Sequence, residues 1–314
     1  MITDLHEWAG KNGYKIAWGG ASVVMDVRED FDSLRAAGEI DGAFYEDNLA
    51  WFEYPEGITL QSPASVIIVA VPRPAHSLPF EHQNGRLDTI LPPTYVNYNK
   101  LFEQVHDDMD SSVLRGTCCS ELLKAPLKAI AARLGLVAYG RNNITYIEGL
   151  GSYFQLVGVL TDAELPPPSG SISNHPRMNP QCSDCSLCIQ ACPTKAIRSK
   201  RFLLGAQRCF TLHNESPQTW PEWILPLLDL CFSAQPCVIG CLRCQAVCPM
   251  NRGLLKTEPA GISFTAGETQ WLLEGKPCDS NPLGAGIMSK LSKIGMGKDY
   301  SPLAKNLREL SKQS

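Results

Sequence analysis

Ten of the chain's 13 cysteines fall between Cys182 and Cys248, and their spacing is that of an iron–sulfur protein. Cys182-x2-Cys185-x2-Cys188-x3-Cys192-Pro193 is the bacterial ferredoxin run. Its first three thiolates wrap a loop around three irons of one [4Fe-4S] cube, and the fourth points away to a neighbouring cluster. A second cube is therefore required, and Cys241-x2-Cys244-x3-Cys248-Pro249 supplies it. Each closing cysteine serves the opposite cube, so Cys248 joins Cys182, Cys185 and Cys188, while Cys192 joins Cys241 and Cys244. A gap of three residues between Cys237 and Cys241 interrupts the second run. That leaves Cys237, Cys231 or Cys209 as the last ligand of the second cube. A zinc site made of Cys182, Cys185, Cys241 and Cys244 would leave both Cys-Pro closures unexplained.

Other motifs add little. Gly149-Leu150-Gly151 lacks the remaining glycine of a dinucleotide fingerprint, and no GxxxxGK[ST] sequence is present. The six histidines show no HExxH or HxxxH pairing. The vicinal Cys118-Cys119 offers a reactive pair, but two small buried hydrophobes is the favoured reading.

The composition, 44% apolar over 314 residues, is that of a globular protein of about two domains. No stretch approaches eighteen apolar residues, and Asp4, His6 and Glu7 give the N-terminus no signal-peptide character. A cytoplasmic protein that neither crosses a membrane nor is exported is expected. There disulfides are a poor use for so many thiols. The net charge of -4 gives no global attraction to nucleic acid.

The elements that must position the cysteines follow from periodicity. Leu5, Trp8 and Ala9 share a helical face that Gly13 ends, and Lys15 to Trp18 suits a strand. Asp26 to Ala37 suits a helix stopped by Gly38. Ser65 to Val71, rich in β-branched residues, reads as a central strand. Tyr98 to Met109 and Pro126 to Leu134 have helical spacing; Asn143 to Ile147 and Tyr153 to Leu160 suit strands. Prolines crowd residues 161–181, so residues 166–181 are read as a linker between an α/β or α+β domain (1–165) and a cysteine-rich domain (182–255). Residues 256–314 form a C-terminal helical extension, with helices over Thr265 to Leu273 and Leu303 to Leu310.

Several segments resemble the epoxyqueuosine reductase family, cobalamin-dependent iron–sulfur proteins related to reductive dehalogenases. The similarity is carried by Ser65-Val66-Ile67-Ile68-Val69-Ala70, by Ala132-Arg133-Leu134-Gly135-Leu136 with Gly140-Arg141-Asn142, and by Gly151-Ser152-Tyr153-Phe154. It continues through Leu160-Thr161-Asp162, the ferredoxin run with Pro193-Thr194-Lys195-Ala196-Ile197, Arg208-Cys209, and Gly240-Cys241-x2-Cys244-Gln245-x2-Cys248-Pro249-x-Asn251. The resemblance implies an α+β fold: a nitroreductase-like cobalamin-binding domain, then a bacterial-ferredoxin-like domain with two [4Fe-4S] clusters. It implies Cys209 as the last ligand of the second cube, with Cys231 and Cys237 as spare thiols. It assigns Gly140, Arg141, Asn142, Gly151, Ser152 and Gln245 to the cofactor, with the Arg141 and Asn142 donors reaching the corrin amides. Here Gly140-Arg141-Asn142 replaces the family's usual Gly-Lys-Asn, and Asn97-Tyr98-Asn99 its Asp-Tyr-His. The family's proton-donating acid falls on Glu121 when counted back from Gly135, with Tyr98 in reserve.

The implied activity is that of a reductase whose clusters reduce cobalamin to Co(I) for reductive chemistry. Its electrons come from an external low-potential donor of ferredoxin or flavodoxin type. Transfer RNA is a candidate substrate, against which the net negative charge weighs. The alternative is an iron–sulfur electron-transfer or corrinoid-activating protein without substrate chemistry of its own.

Overall fold

In the computed structural model every residue from Ser65 to Val71 is buried, as expected of a central strand. The structure describes residues 2–54, 59–82, 85–116, 118–166, 176–200, 203–233, 236–276, 281–296 and 300–312. Most of the expected linker, 167–175, lies outside them.

The elements run α1 (Ile2–Lys11), β1 (Lys15–Gly20), α2 (Val23–Ala36), α3 (Gly42–Asn48), β2 (Ser65–Pro72), β3 (Ala75–His82) and β4 (Gly85–Leu91). Next come α4 (Tyr98–Met109), β5 (Ser120–Leu122), α5 (Leu127–Arg133), β6 (Ala138–Tyr139), β7 (Thr145–Tyr146) and β8 (Phe154–Thr161). The later part holds α6 (Leu187–Ala191), α7 (Phe210–Asn214), α8 (Leu228–Ser233), α9 (Arg243–Ala246), β9 (Thr257–Pro259), α10 (Ala266–Glu274), α11 (Pro282–Lys293) and α12 (Ser301–Leu310).

They form two compact units, residues 1–72 with 100–185, and residues 73–99 with 186–314. The first is built on an antiparallel sheet in the order β1-β2-β8-β5. Ser65 pairs with Thr161 and Pro72 with Phe154, so two apolar strands lie side by side in the middle of the sheet. Leu5, Trp8 and Ala9 of α1 and Leu101, Val105 and Met109 of α4 pack in the core with Ile67, Val69, Val157 and Val159. Those α4 residues recur at intervals of four, the helical stripe the sequence shows. On α5, Arg133 is buried and binds Asp30 at 2.7 Å. Gly158 of β8 lets α5 approach: a Cβ there would stand 2.5 Å from Leu127.

The second unit holds a three-stranded sheet, β4-β3-β9, in which β3 pairs antiparallel with β4 and parallel with β9. Leu78, Phe80 and Leu91 of this sheet share a core with Ile224, Phe232, Phe264, Leu291 and Leu303. The compact units thus divide the chain differently from its composition. The β3–β4 hairpin, unforeseen in the sequence, belongs with the cysteine-rich half, because its apolar face is buried by residues more than 130 positions away. The expected strand Asn143 to Ile147 shrinks to β7, paired with β6 in a two-stranded ribbon. The helix expected from Asp26 begins three residues earlier, since Val23 and Val24 are buried with Val27. The mixed helix-and-sheet class is as expected.

Candidate iron–sulfur and catalytic site

The two Cys-Pro closures fold alike. Cys188 lies in α6, and Cys192, at its end, has extended backbone (φ -84°, ψ 106°) before Pro193. Cys244 lies in α9, and Cys248 is extended in the same way (φ -74°, ψ 126°) before Pro249. A residue preceding proline is driven out of the helical region, so the last thiol of each run leaves its helix in a new direction. The Cys192 N–H donates to the Ile189 carbonyl at 3.3 Å and the Cys248 N–H to the Gln245 carbonyl at 3.2 Å, matching three-residue turns. Arg243, opening α9, donates through Nε to the Ala191 carbonyl at the end of α6 (3.3 Å). Asn251 anchors the second closure, its amide donating to the Gln245 carbonyl at 2.9 Å.

In this unit the fold brings Cys192, Cys209 and Cys241 together. Burial pushes the Cys209 thiol up; hydrogen bonds from Thr211 and Leu212 oppose this, and Cys192 adds to it. Burial pushes Cys241 up to about 12, with Arg243 opposing and Cys209 and Cys192 adding. These are three of the four ligands assigned to the second cube, and Cys244 lies on α9 beside them in sequence. Cys231 and Cys237, also held at about 12 by burial, sense Cys241, and Cys231 senses Cys192 and Cys209 as well. Every cysteine among the described residues is a free thiol. Soft donors in two matching helix-and-proline frames suit iron, and ligation must release the protons that burial retains. Among the described residues no three His, Cys, Asp or Glu side chains gather as a single-ion site. Tyr95, which sequence reasoning missed, donates its hydroxyl to Glu215. Burial raises this phenol strongly, and Glu215, Cys237 and Cys209 add to it. No motif marks it; only the return of the chain places it there.

In the first unit, Cys182 is buried and Cys185 half-buried. Their loop is held by the ribbon that carries Gly140-Arg141-Asn142. Gly140 N–H donates to the Ile144 carbonyl (2.7 Å) and Asn143 N–H to the Gly140 carbonyl (3.0 Å), with Asn143 left-handed at φ 62°. The two side chains expected to reach corrin amides also bind within the protein. Arg141, 7% exposed, donates through Nη2 to the carbonyl of Cys182 and, at 3.2 Å, to that of Ser183. Asn142, 2% exposed, donates to the Tyr146 hydroxyl at 2.9 Å and accepts from Ile144 N–H at 3.3 Å. Atoms of Tyr146 and Asn142 fill the space beside Gly140. Gly140, Arg141 and Asn142 thus make contacts within their own ribbon and to the loop of Cys182. Gly151 closes a turn with Ile147 at φ 61°, and half-buried Ser152 follows it. Gln245 lies in the second unit, on α9.

Glu121 lies in the edge strand β5, opposite Leu160. Its carboxylate accepts the Thr59 N–H at 3.1 Å, the Thr59 hydroxyl at 2.8 Å and the Leu60 N–H at 2.9 Å. It anchors the chain entering β2 rather than the helix that follows Pro126. Tyr98 opens α4 and is 46% exposed, with burial raising its phenol. Beside Glu121, Ser120 Oγ contacts His106 Nε2 at 2.9 Å and Asp110 Oδ1 at 3.2 Å.

The fold and the double cysteine run define a mixed α+β protein with a two-cluster iron–sulfur domain, and comparison with known proteins agrees. The family model of the 4Fe-4S double cluster binding domain matches residues 181–251. The chain is 36% identical over 126 residues to the epoxyqueuosine reductase of Pseudomonas aeruginosa, covering 40% of this chain and 31% of that protein. It is 27% identical over 251 residues to that of Atelocyanobacterium thalassa, covering 73% and 76%. It spans about a third of the length of the first of these relatives. The fold matches the Bacillus subtilis epoxyqueuosine reductase, solved with its catalytic loop swung out of the active site (TM-score 0.70, 18% identity, 98% of this chain, 80% of that one). It also matches an epoxyqueuosine reductase crystallised with an epoxyqueuosine-modified tRNA-Tyr stem loop (TM-score 0.71, 18% identity, 98% and 80%). In sequence and in fold the chain is thus similar to epoxyqueuosine reductases, and it carries a 4Fe-4S double cluster binding domain.

Proposed function

We propose that the chain is an iron–sulfur reductase of the epoxyqueuosine reductase type, acting in the cytoplasm on an oxidised substrate, with the modified base of transfer RNA as first candidate. The observation that carries this reading is the pairing of α6 and α9. Two helix-and-proline frames present Cys188 and Cys192, and Cys244 and Cys248, in matching geometry. The ligand sets are Cys182, Cys185, Cys188 and Cys248 for one cube, and Cys192, Cys209, Cys241 and Cys244 for the other.

Removing an epoxide oxygen as water consumes two electrons and two protons. Two one-electron clusters and a proton donor are the parts such a reaction needs. The family resemblance adds cobalamin, which when bound supplies a reducible metal centre to the substrate, and reads the first unit as its nitroreductase-like binding domain. The chain's own residues divide the remaining work. The cysteines hold the clusters, which take their electrons from an external low-potential ferredoxin or flavodoxin. Tyr98, partly exposed with its phenol kept protonated, is the better-placed proton donor, because the Glu121 oxygens are already occupied as acceptors. No helix among the described residues is long and apolar enough to cross a membrane.

Arg141, Asn142 and Glu121 are all engaged within the protein, and this favours a second reading, an electron-transfer or corrinoid-activating protein. One experiment separates the two. The anaerobically purified chain is given cobalamin, a low-potential donor and epoxyqueuosine-containing tRNA. Loss of the epoxide supports the reductase, whereas intact clusters, no corrin bands and no turnover support the carrier.

A further inference from the structure

We propose that Arg141 is a positioning residue for the first [4Fe-4S] cube, bracing the loop of its first ligand and holding a fixed positive charge beside it. The proposal rests on the two-cluster reading above.

The contact is built rather than incidental. Arg141 sits in a turn closed by Gly140 N–H to Ile144 O and by Asn142 to the Tyr146 hydroxyl. The strand preceding that turn grips the approach to the cysteine: Tyr139 N–H donates to the Arg177 carbonyl at 3.3 Å, and Asn179 N–H to the Tyr139 carbonyl at 2.7 Å. Asn179 then starts the turn containing Cys182, whose N–H donates back to the Asn179 carbonyl at 2.9 Å. At the end of this chain of contacts one guanidinium nitrogen takes the carbonyls of both Cys182 and Ser183. The same Cys182 carbonyl also accepts the Cys185 N–H at 3.4 Å, so Arg141 stiffens the segment between two cube ligands.

The charge matters as much as the bonds. A guanidinium stays protonated throughout the working pH range and offers planar donors to neighbouring acceptors. Arg141 is 7% exposed, so solvent screens it little. One added electron makes a cluster more negative, and a buried cation beside it favours that reduced form. Cluster potentials respond to net charge and burial in this way. The first cube is thereby made easier to reduce. A lysine would keep the charge but lose the fixed planar donors.

The test is an EPR-monitored reductive titration of the full chain, reconstituted anaerobically with iron and sulfide, as wild type, Arg141→Gln and Arg141→Lys. In Arg141→Gln the reduction equilibrium of one cube should become about tenfold less favourable, about 59 mV for one electron, with the other cube unmoved. Arg141→Lys should hold that equilibrium within about threefold of wild type. About eight irons per chain with both potentials unmoved in Arg141→Gln would overturn the role of Arg141 and leave the two-cluster reading standing. Zinc in place of iron would overturn both. If Arg141→Gln fails to fold, Arg141→Lys decides alone: a tenfold shift despite the retained charge would overturn the proposal.

Discussion

The ring of Tyr146 and the amide of Asn142 occupy the space that a side chain at Gly140 would need. A Cβ there would stand 2.5 Å from Tyr146 Cε2 and 2.6 Å from Asn142 Oδ1. The glycine that resembles a cofactor-facing turn is required first by the packing of its own ribbon. Gly140→Ala should therefore destabilise the cofactor-free chain by about 1–3 kcal/mol, the usual cost of overpacking. Chemical unfolding of the chain without added cofactor reads this directly. An unchanged midpoint would return Gly140 to a role in ligand approach.

The ligand sets predict iron content. Anaerobic purification should give about eight irons per chain, four from each cube. Cys209→Ala should lose about half of that iron by the logic of one ligand per iron, whereas Cys237→Ala should keep nearly all of it. The opposite ranking would make the second run an ordinary ferredoxin motif interrupted by an insertion.

The proton donor is separable by two substitutions. Glu121 holds Thr59 and Leu60 through three donors, so Glu121→Gln should lower stability by about 1–3 kcal/mol. Tyr98→Phe should leave stability within about 0.5 kcal/mol, as for other exposed positions, yet abolish turnover once a substrate is in hand. Turnover lost in Glu121→Gln with stability unchanged would reverse the assignment.

Acid sensitivity should centre in part on α10. Burial alone would raise the Glu268 carboxyl, but Lys290 Nζ at 2.6 Å and the Thr265 N–H and hydroxyl outweigh it and hold it below the usual range. Because the folded value lies below the unfolded one, this stabilisation is fully present above about pH 4.3 and is lost as pH falls through the folded value. Glu268→Gln should cost about 1–2 kcal/mol at pH 7, where it keeps the capping box but removes the charge that binds Lys290, and little at pH 3. Urea midpoints at the two pH values check the difference; equal losses at both would remove the carboxylate from the account.

Much of the molecule was legible from local pattern. The helix from Tyr98 to Met109 matches its apolar stripe of Leu101, Val105 and Met109, and the strand at Ser65 is as buried as its β-branched run implies. The hairpin from Ala75 to Leu91 was not legible. Pro79, Glu81 and Asp88 interrupt its apolar alternation, and its core partners, Phe264 among them, lie far along the chain.

The double-cluster cysteine pattern belongs to what the sequence determined by itself, although Cys209 as a ligand came only from the family resemblance. Thiolates around one cube must come at short fixed intervals, and a cysteine before proline must leave its helix; both are constraints of neighbouring residues. What Gly140, Arg141, Asn142 and Glu121 touch within the protein was decided only by the tertiary structure. Arg141 meets a carbonyl 41 residues away and Glu121 a hydroxyl 62 residues away. A long polar side chain finds its partner after the chain has packed, and buried donors take the acceptors that folding brings within reach.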